Sequence, residues 1–504
     1  MPHGVVKAEI PRGTTPASPR PARVLVVGGG YVGMYTALRL QRRLRRGEAE
    51  VVVVSPDAYM TYQPFLPEAA AGSISPRHVV VPLRRVLPDC TIIVGEARSV
   101  DHTRRVVTLV TPASEEEAAA RAADPRSGTT GAPSRTAGAP ARAPRATAAP
   151  RDPAPAPEPP GSFEMTYDEL VLAPGSVSRT LPVPGLAEHG IGFKTVEEAI
   201  ALRNHVLEQL DIASSTRDPQ LRDAALTFVF VGGGYAGVEA LAELADMARY
   251  ATRSYHNVKA DDLKWILVEA SGRVLPEVGH HLGTYAVREL RARNIDVRLE
   301  TRLDSCENRV AVLSDGSRFP TRTVVWTAGV KPHPILAAAG LPLDARGRLR
   351  CTAGLAVDGV DHAWSAGDAA AVPDLTVDEP GATCAPNAQH AVRQARVLAD
   401  NIVASLRGEP SRDYRHRYTG SVASLGLHKG VAQVYGRKVK GYPAWLIHRA
   451  YHLSRVPTFN RKARVLAEWT LSGLFKREIV SLGSLEHPRA EFELAAGGER
   501  PRDV

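Results

Sequence analysis

Two short apolar runs, residues 24–27 and 228–231, each end in a glycine cluster and then give way to apolar positions three and four apart. A strand buried on both faces reads as an unbroken apolar run, and an amphipathic helix repeats every three to four residues. Each stretch therefore predicts a strand, a tight turn and a helix, with the helices running to about residues 46 and 250. The stretches 50–54 and 265–268 supply the next strand of each unit. Further strands are expected at 91–94, 106–110, 167–173, 296–299, 310–313 and 323–326, and helices over 193–210 and 385–406. This alternation implies α/β architecture.

The pattern fails in two places. Residues 1–22 are rich in Pro, Ser and Thr, and residues 111–161 turn to Ala, Pro, Arg, Thr and Gly. Such segments cannot bury enough apolar surface to offset the entropy of ordering them. The first is expected to be a disordered N-terminus. The second is expected to be a disordered insertion between adjacent strands of one domain, with a domain boundary as the competing reading.

The glycine clusters carry the chemistry. Gly28-Gly29-Gly30-Tyr31-Val32-Gly33 and Gly232-Gly233-Gly234-Tyr235-Ala236-Gly237 repeat one G-x-G-x-x-G pattern. Between strand and helix, these glycines permit a tight turn and a close approach to a pyrophosphate, which the positive end of the helix then faces. Two such units predict two Rossmann-like dinucleotide-binding domains and electron transfer between their ligands. A carboxylate at the end of the second strand can bind both ribose hydroxyls of NAD and repels a 2′-phosphate. Glu269 holds that place in the second unit. In the first unit Ser55 stands there, with Asp57 two residues on, so either Asp57 reaches back or Ser55 holds the ribose alone. In Ala366-Gly367-Asp368, small residues bring a carboxylate into a loop, either to meet a ligand or as a turn aspartate.

Bulk numbers narrow the setting. The 504 residues have room for two to four domains, and the net charge is +9. Cys90, Cys306, Cys351 and Cys384 lie far apart, which argues against a disulfide-exchanging enzyme and against a zinc or iron–sulfur site. No metal is expected. No run approaches the roughly 18 to 20 apolar residues of a membrane-spanning helix.

The motif order resembles the two-dinucleotide-binding-domain flavoproteins. In detail it is most similar to the type II, non-proton-pumping NADH:quinone dehydrogenases, over most of residues 23–410 outside the insertion. That resemblance implies an FAD domain over 23–190 and 320–410, with an NADH domain over 191–319 inserted into it. FAD would lie on Gly28, Gly30, Gly33, Ser55 and Asp368, its ring near Gln63 and Pro64. NADH would lie on Gly232, Gly234, Gly237 and Glu269. Glu239 matches a carboxylate near the nicotinamide. Ala388-Gln389-His390-Ala391-Val392-Arg393-Gln394 is similar to the quinone-site motif, with Arg393 in place of a glutamine; Glu239, Gln389 and Gln394 are thereby the catalytic candidates, with Gln389 as a hydrogen bond and Glu239 as a proton route the two to test. The implied activity is hydride transfer from NADH to flavin and two-electron transfer to a membrane quinone, with a homodimer one assembly open to it. A reductase of a soluble or protein acceptor, or a low-turnover NADH-binding flavoprotein, remains an alternative.

The last segment, 411–504, has another character. Over 411–478 fourteen Lys and Arg face only Asp413, Glu468 and Glu478. On a helical wheel Leu446, Ile447, Ala450, Tyr451 and Leu453 share one arc, opposite His448, Arg449 and His452, with Trp445 at the edge. This suits a helix lying on an anionic membrane surface, apolar side down. A helix packed on the protein's own core is the alternative. The expected location is cytoplasmic, peripheral on the inner face of the cell membrane. No nucleic-acid module is recognisable, so no nucleic-acid partner is expected.

Overall fold

The computed structural model describes residues 20–115, 161–416, 420–475 and 479. Most of the N-terminal segment, residues 116–160 of the expected insertion and nearly all of the chain beyond 475 lie outside the described residues.

Two five-stranded parallel sheets form the frame. In the first, Ala22–Val27 lies at the centre, between Ala49–Ser55 and Glu169–Leu172, with Thr91–Val94 and Ala363–Trp364 at the edges. Val27 pairs with Val54, so the glycine turn starts level with Ser55. The helix Tyr31–Arg43 packs on the helix Ala388–Leu406, where Arg39 makes two hydrogen bonds to Asp400, at 2.8 and 2.6 Å.

The second sheet runs Gly190–Gly192, Thr323–Trp326, Thr227–Val231, Lys264–Val268 and Ile295–Arg298. Thr323–Trp326 pairs with Thr227–Val231, so the boundary expected at 320 is corrected: the second domain keeps this strand. An apolar run of four buried residues looks alike in either sheet, and only pairing tells them apart. Between the sheets, the segment Leu66–Ala70 of the first domain packs on the helix Tyr235–Ala251 of the second.

A three-stranded antiparallel sheet joins Glu96–Asp101, Val106–Val110 and Ser162–Thr166. Val110 pairs with Ser162, so the segment between them links two neighbouring strands of one sheet.

The C-terminal part forms an antiparallel sheet of Gly420–Ser424, Gly430–Val434 and Arg437–Lys440, followed by helices Tyr442–Arg455 and Phe459–Leu474. The first helix turns its polar arc toward the protein, unlike the alternative in which its apolar face packs on the core. Trp445 and His448 are buried and Arg449 is nearly so, while Leu446 is 46% exposed. The reason is electrostatic: this face meets the buried carboxylates Glu68, Glu239 and Glu243, which imidazole and guanidinium can pair and leucine cannot. Among the described residues no helix is long and apolar enough to cross a membrane.

Candidate functional site

The two glycine turns have the same construction. Gly28 and Gly232 have φ of +108° and +116°, which glycine adopts without strain. A Cβ on Gly28 would lie 2.2 Å from the Ala173 carbonyl oxygen, and one on Gly33 or Gly237 would lie 1.7 or 2.0 Å from the carbonyl oxygen of Gly28 or Gly232. These glycines close each turn onto its helix. Gly30 and Gly234 stand at the helix starts with nothing within 4 Å of where a Cβ would be. Each turn thus presents bare backbone at a positive helix end, and both cradles fit a pyrophosphate.

The strand ends differ. Glu269 lies against the second turn, its carboxylate accepting the Gly233 N–H at 2.6 Å and the Ser271 N–H at 2.7 Å. Ser55 takes the equivalent position in the first unit: a Cβ on Gly29 would be 2.6 Å from its Oγ. Ser55 and Asp57 both line a cavity of about 310 Å³ at the first turn, together with Gln63, Glu96, Lys194 and Glu197. Burial and the Glu197 charge push the Asp57 carboxyl up, and Tyr59 donates to Glu197. Pro64 follows Gln63 in the short turn Gln63–Phe65.

Asp368 is brought to this cleft from 340 residues downstream of Gly28. Gly367, at φ +68°, packs so close to the first helix that a Cβ would meet Val32 Cγ2 at 2.8 Å. Asp368 accepts a 2.7 Å hydrogen bond from Ser176 Oγ, which accepts one of 2.8 Å from Lys194 Nζ. Burial holds the Lys194 ammonium below its ordinary range. Lys194 and Ser176 escaped the sequence reading because each borders a strand of only three residues, Gly190–Gly192 and Ser176–Ser178, too short to show a period.

The quinone-motif residues separate. Gln394 is 1% exposed, and its Oε1 accepts the Gly367 N–H at 2.8 Å. It therefore supports the Asp368 turn from behind. Gln389 reaches the other way: its Nε2 donates to the Gly420 carbonyl at 3.3 Å, and His416 Nε2 lies 3.3 Å from its Oε1. Arg393 donates back to the Gln389 carbonyl at 2.9 Å.

Glu239 is buried in the first turns of the second helix. Its Oε1 accepts the Ser424 N–H at 2.7 Å and lies 3.1 Å from His448 Nε2.

The four cysteines are free thiols, and Cys306, Cys351 and Cys384 are buried. Burial pushes Cys351 up to about 12 and Cys384 and Cys90 up to about 11, which keeps them out of thiolate chemistry at neutral pH.

Residues 22–395 match the model of the pyridine nucleotide-disulphide oxidoreductase family. The chain belongs to this family. Among curated relatives, it is 26% identical over 478 residues to the type II NADH:quinone oxidoreductase Ndh of Mycobacterium tuberculosis, covering 92% of this chain and 90% of that one. It is likewise 26% identical over 425 residues to the type II NADH:quinone oxidoreductase of Staphylococcus aureus, covering 84% and 92%. Among solved structures, NDH2 from Plasmodium falciparum in complex with NADH superposes with a TM-score of 0.75 at 14% identity, over 92% of this chain and all of that one. At that identity the superposition speaks for the fold alone.

Proposed function

We propose that this chain is an FAD-dependent NADH:quinone oxidoreductase working at a membrane surface. The observation that carries the reading is the pair of matching cradles with unlike strand ends. Glu269 suits the two free ribose hydroxyls of NADH and disfavours a 2′-phosphate. The first cradle, with Gly28, Gly30, Gly33, Ser55, Gln63, Pro64 and Asp368, suits FAD, and Lys194 adds a cation to its cavity. Gly232, Gly234 and Gly237 hold the NADH pyrophosphate. Bound there, FAD would supply the hydride acceptor for NADH and the two-electron donor for a quinone. The chain's own part is to orient the two dinucleotides, to keep water out and to manage protons. Glu239 serves as the proton route and Gln389 as a hydrogen-bonding group for the quinone, and the type II relatives support the quinone as acceptor.

The C-terminal helices support a peripheral membrane attachment. Phe459, Leu466, Leu471, Leu474 and Phe475 are each more than half exposed, beside Lys462 and Arg464. Apolar groups that enter the interface and cations that meet anionic headgroups are what surface attachment requires. In this reading the enzyme works on the inner face of the cell membrane, and sedimentation tests whether it does so as a homodimer.

The direct test is optical. Purified protein is yellow, is bleached by NADH in the absence of oxygen, and regains its colour on adding a short-chain quinone. A colourless protein that takes up no flavin overturns the reading.

A further inference from the structure

The buried face of the helix Tyr442–Arg455 holds a group of ionisable side chains that binding two dinucleotides does not require. His448 is 2% exposed. Its Nε2 lies at ion-pair distance, 3.1 Å, from Glu239 Oε1, and neither ring nitrogen has a hydrogen-bond partner among the described residues. One helical turn on, the His452 ring stands edge to face at 4.6 Å between centroids. His452 Nδ1 is 3.2 Å from the Tyr62 hydroxyl, which also reaches the His452 carbonyl at 3.3 Å. Tyr62 directly precedes Gln63, which lines the first cavity. A line of polar groups thus runs from Glu239 on the second-cradle helix, through two imidazoles, to the rim of the first.

The surroundings push the two imidazoles in opposite directions. Glu239 and Glu243 from the helix Tyr235–Ala251 and Glu68 from Leu66–Ala70 face His448. Arg449 and His452 come from its own helix, and Ser424 from Gly420–Ser424 donates its N–H to Glu239 and its hydroxyl to Glu243 at 3.0 Å. Arg449 lies 3.7 Å from Glu68, and Trp469 Nε1 donates to Glu68 at 2.6 Å. Burial works against a charge on His448, but the three carboxylates outweigh it and hold its pKa above the ordinary histidine value. Burial and the neighbouring His448 hold His452 well below it. An imidazole that favours its proton, next to one that disfavours it, is an arrangement through which a proton can move without a second buried charge.

We propose that His448 and His452 form a proton-transfer pair that supplies Glu239 from the Tyr62 side of the protein. This inference rests on the NADH:quinone reading. Reducing a quinone with NADH consumes one proton per turnover: NADH gives a hydride, and the quinol carries two hydrogens. The His448 imidazolium gives its proton to the Glu239 carboxylate, His452 passes a proton taken up from solvent to His448, and no other bond changes. Both histidines are positioning residues in this scheme, since they act through Glu239.

The test uses the full-length holoenzyme. Imidazole NMR signals are followed against pH, with His448→Gln and His452→Gln for assignment. His448 is expected to stay protonated through neutral pH, and Glu239→Gln to lower its midpoint by at least about one pH unit. In steady-state kinetics, His448→Gln and His452→Gln are expected to lower kcat by roughly tenfold or more toward alkaline pH, with KM for NADH within about twofold. Flavin content and circular dichroism check folding. If His448→Gln does not fold, His452→Gln, whose side chain is less enclosed, carries the same test. Kinetic pH profiles that superimpose on the parent's, or a His448 signal indifferent to Glu239→Gln, overturn the proposal. An enzyme that never oxidises NADH sinks the functional reading instead, and the imidazole titration still decides whether the pair exists.

Discussion

The Glu269 carboxylate accepts the backbone N–H of Gly233 at 2.6 Å, which fixes an anion at the lip of the second cleft before any ligand arrives. A carboxylate so held is already aimed, and little ordering is left to oppose ribose binding. Charge-assisted hydrogen bonds contribute about 1.5–3 kcal/mol. Glu269→Ala is therefore expected to lower kcat/KM for NADH by roughly 10- to 100-fold and to reduce the preference over NADPH. Steady-state kinetics with both coenzymes check it. An unchanged preference would place the discrimination elsewhere.

Gln394 and Gly367 make a second testable contact. The Gly367 N–H is buried, and Gln394 Oε1 is its acceptor at 2.8 Å. Leaving that N–H without a partner costs about 1–3 kcal/mol. Gln394→Met keeps the volume and removes the acceptor. It is expected to loosen the Asp368 turn, lowering thermal stability and flavin retention while leaving the KM for quinone within about twofold. The absorbance ratio of flavin to protein after gel filtration reads this out. A large rise in quinone KM with flavin fully retained would return Gln394 to the quinone.

How far the sequence could be read depended on whether the signal was local. The strand Ala49–Ser55 and the turn Gly28–Gly33 were legible, because an apolar run and a glycine spacing need no knowledge of their neighbours. Thr323–Trp326 was legible as a strand but not as a member of the second sheet, since pairing joins residues a hundred positions apart. The wheel drawn for Tyr442–Arg455 gave the angle between its two arcs correctly, yet a wheel does not say on which side the protein lies. The buried Glu68, Glu239 and Glu243 decide that, and Glu68 sits in a loop-rich stretch with no period to mark it. The Gln394 contact with Gly367 was hidden for a related reason: a motif names a residue but not the direction in which its side chain points.

The exposed apolar side chains of the last helix give a third prediction. Leu466 and Leu474 are 53% and 73% exposed. Burying a leucine fully is favourable by about 1.5–3 kcal/mol, and an interfacial one gains part of that. Leu466→Asp with Leu474→Asp is expected to reduce binding to anionic vesicles by roughly tenfold or more, while the rate with a short-chain quinone in solution stays within about twofold. Cosedimentation with vesicles checks it. High salt should weaken the parent's binding too, because each cation near an anionic surface contributes about 1 kcal/mol and salt screens it.

His205 sets an acid limit on stability. Its Nε2 lies 2.9 Å from Thr323 Oγ1, and burial, with Arg322 and Arg309 nearby, holds the imidazole down to about 4. The folded chain thus keeps His205 neutral where the unfolded chain protonates it, near the ordinary value of about 6.5. Its stabilising share is complete above that value and is lost as pH falls from about 6.5 toward about 4. In that window it steepens the loss of stability by up to about 1.4 kcal/mol per pH unit. His205→Asn removes the titrating group and keeps a polar atom near Thr323. The variant is expected to be less stable at pH 7 and to show a flatter decline in acid, measured as the urea midpoint between pH 7 and 4.5. Parallel declines for parent and variant would mean that His205 takes up its proton as readily in the folded chain as in the unfolded one.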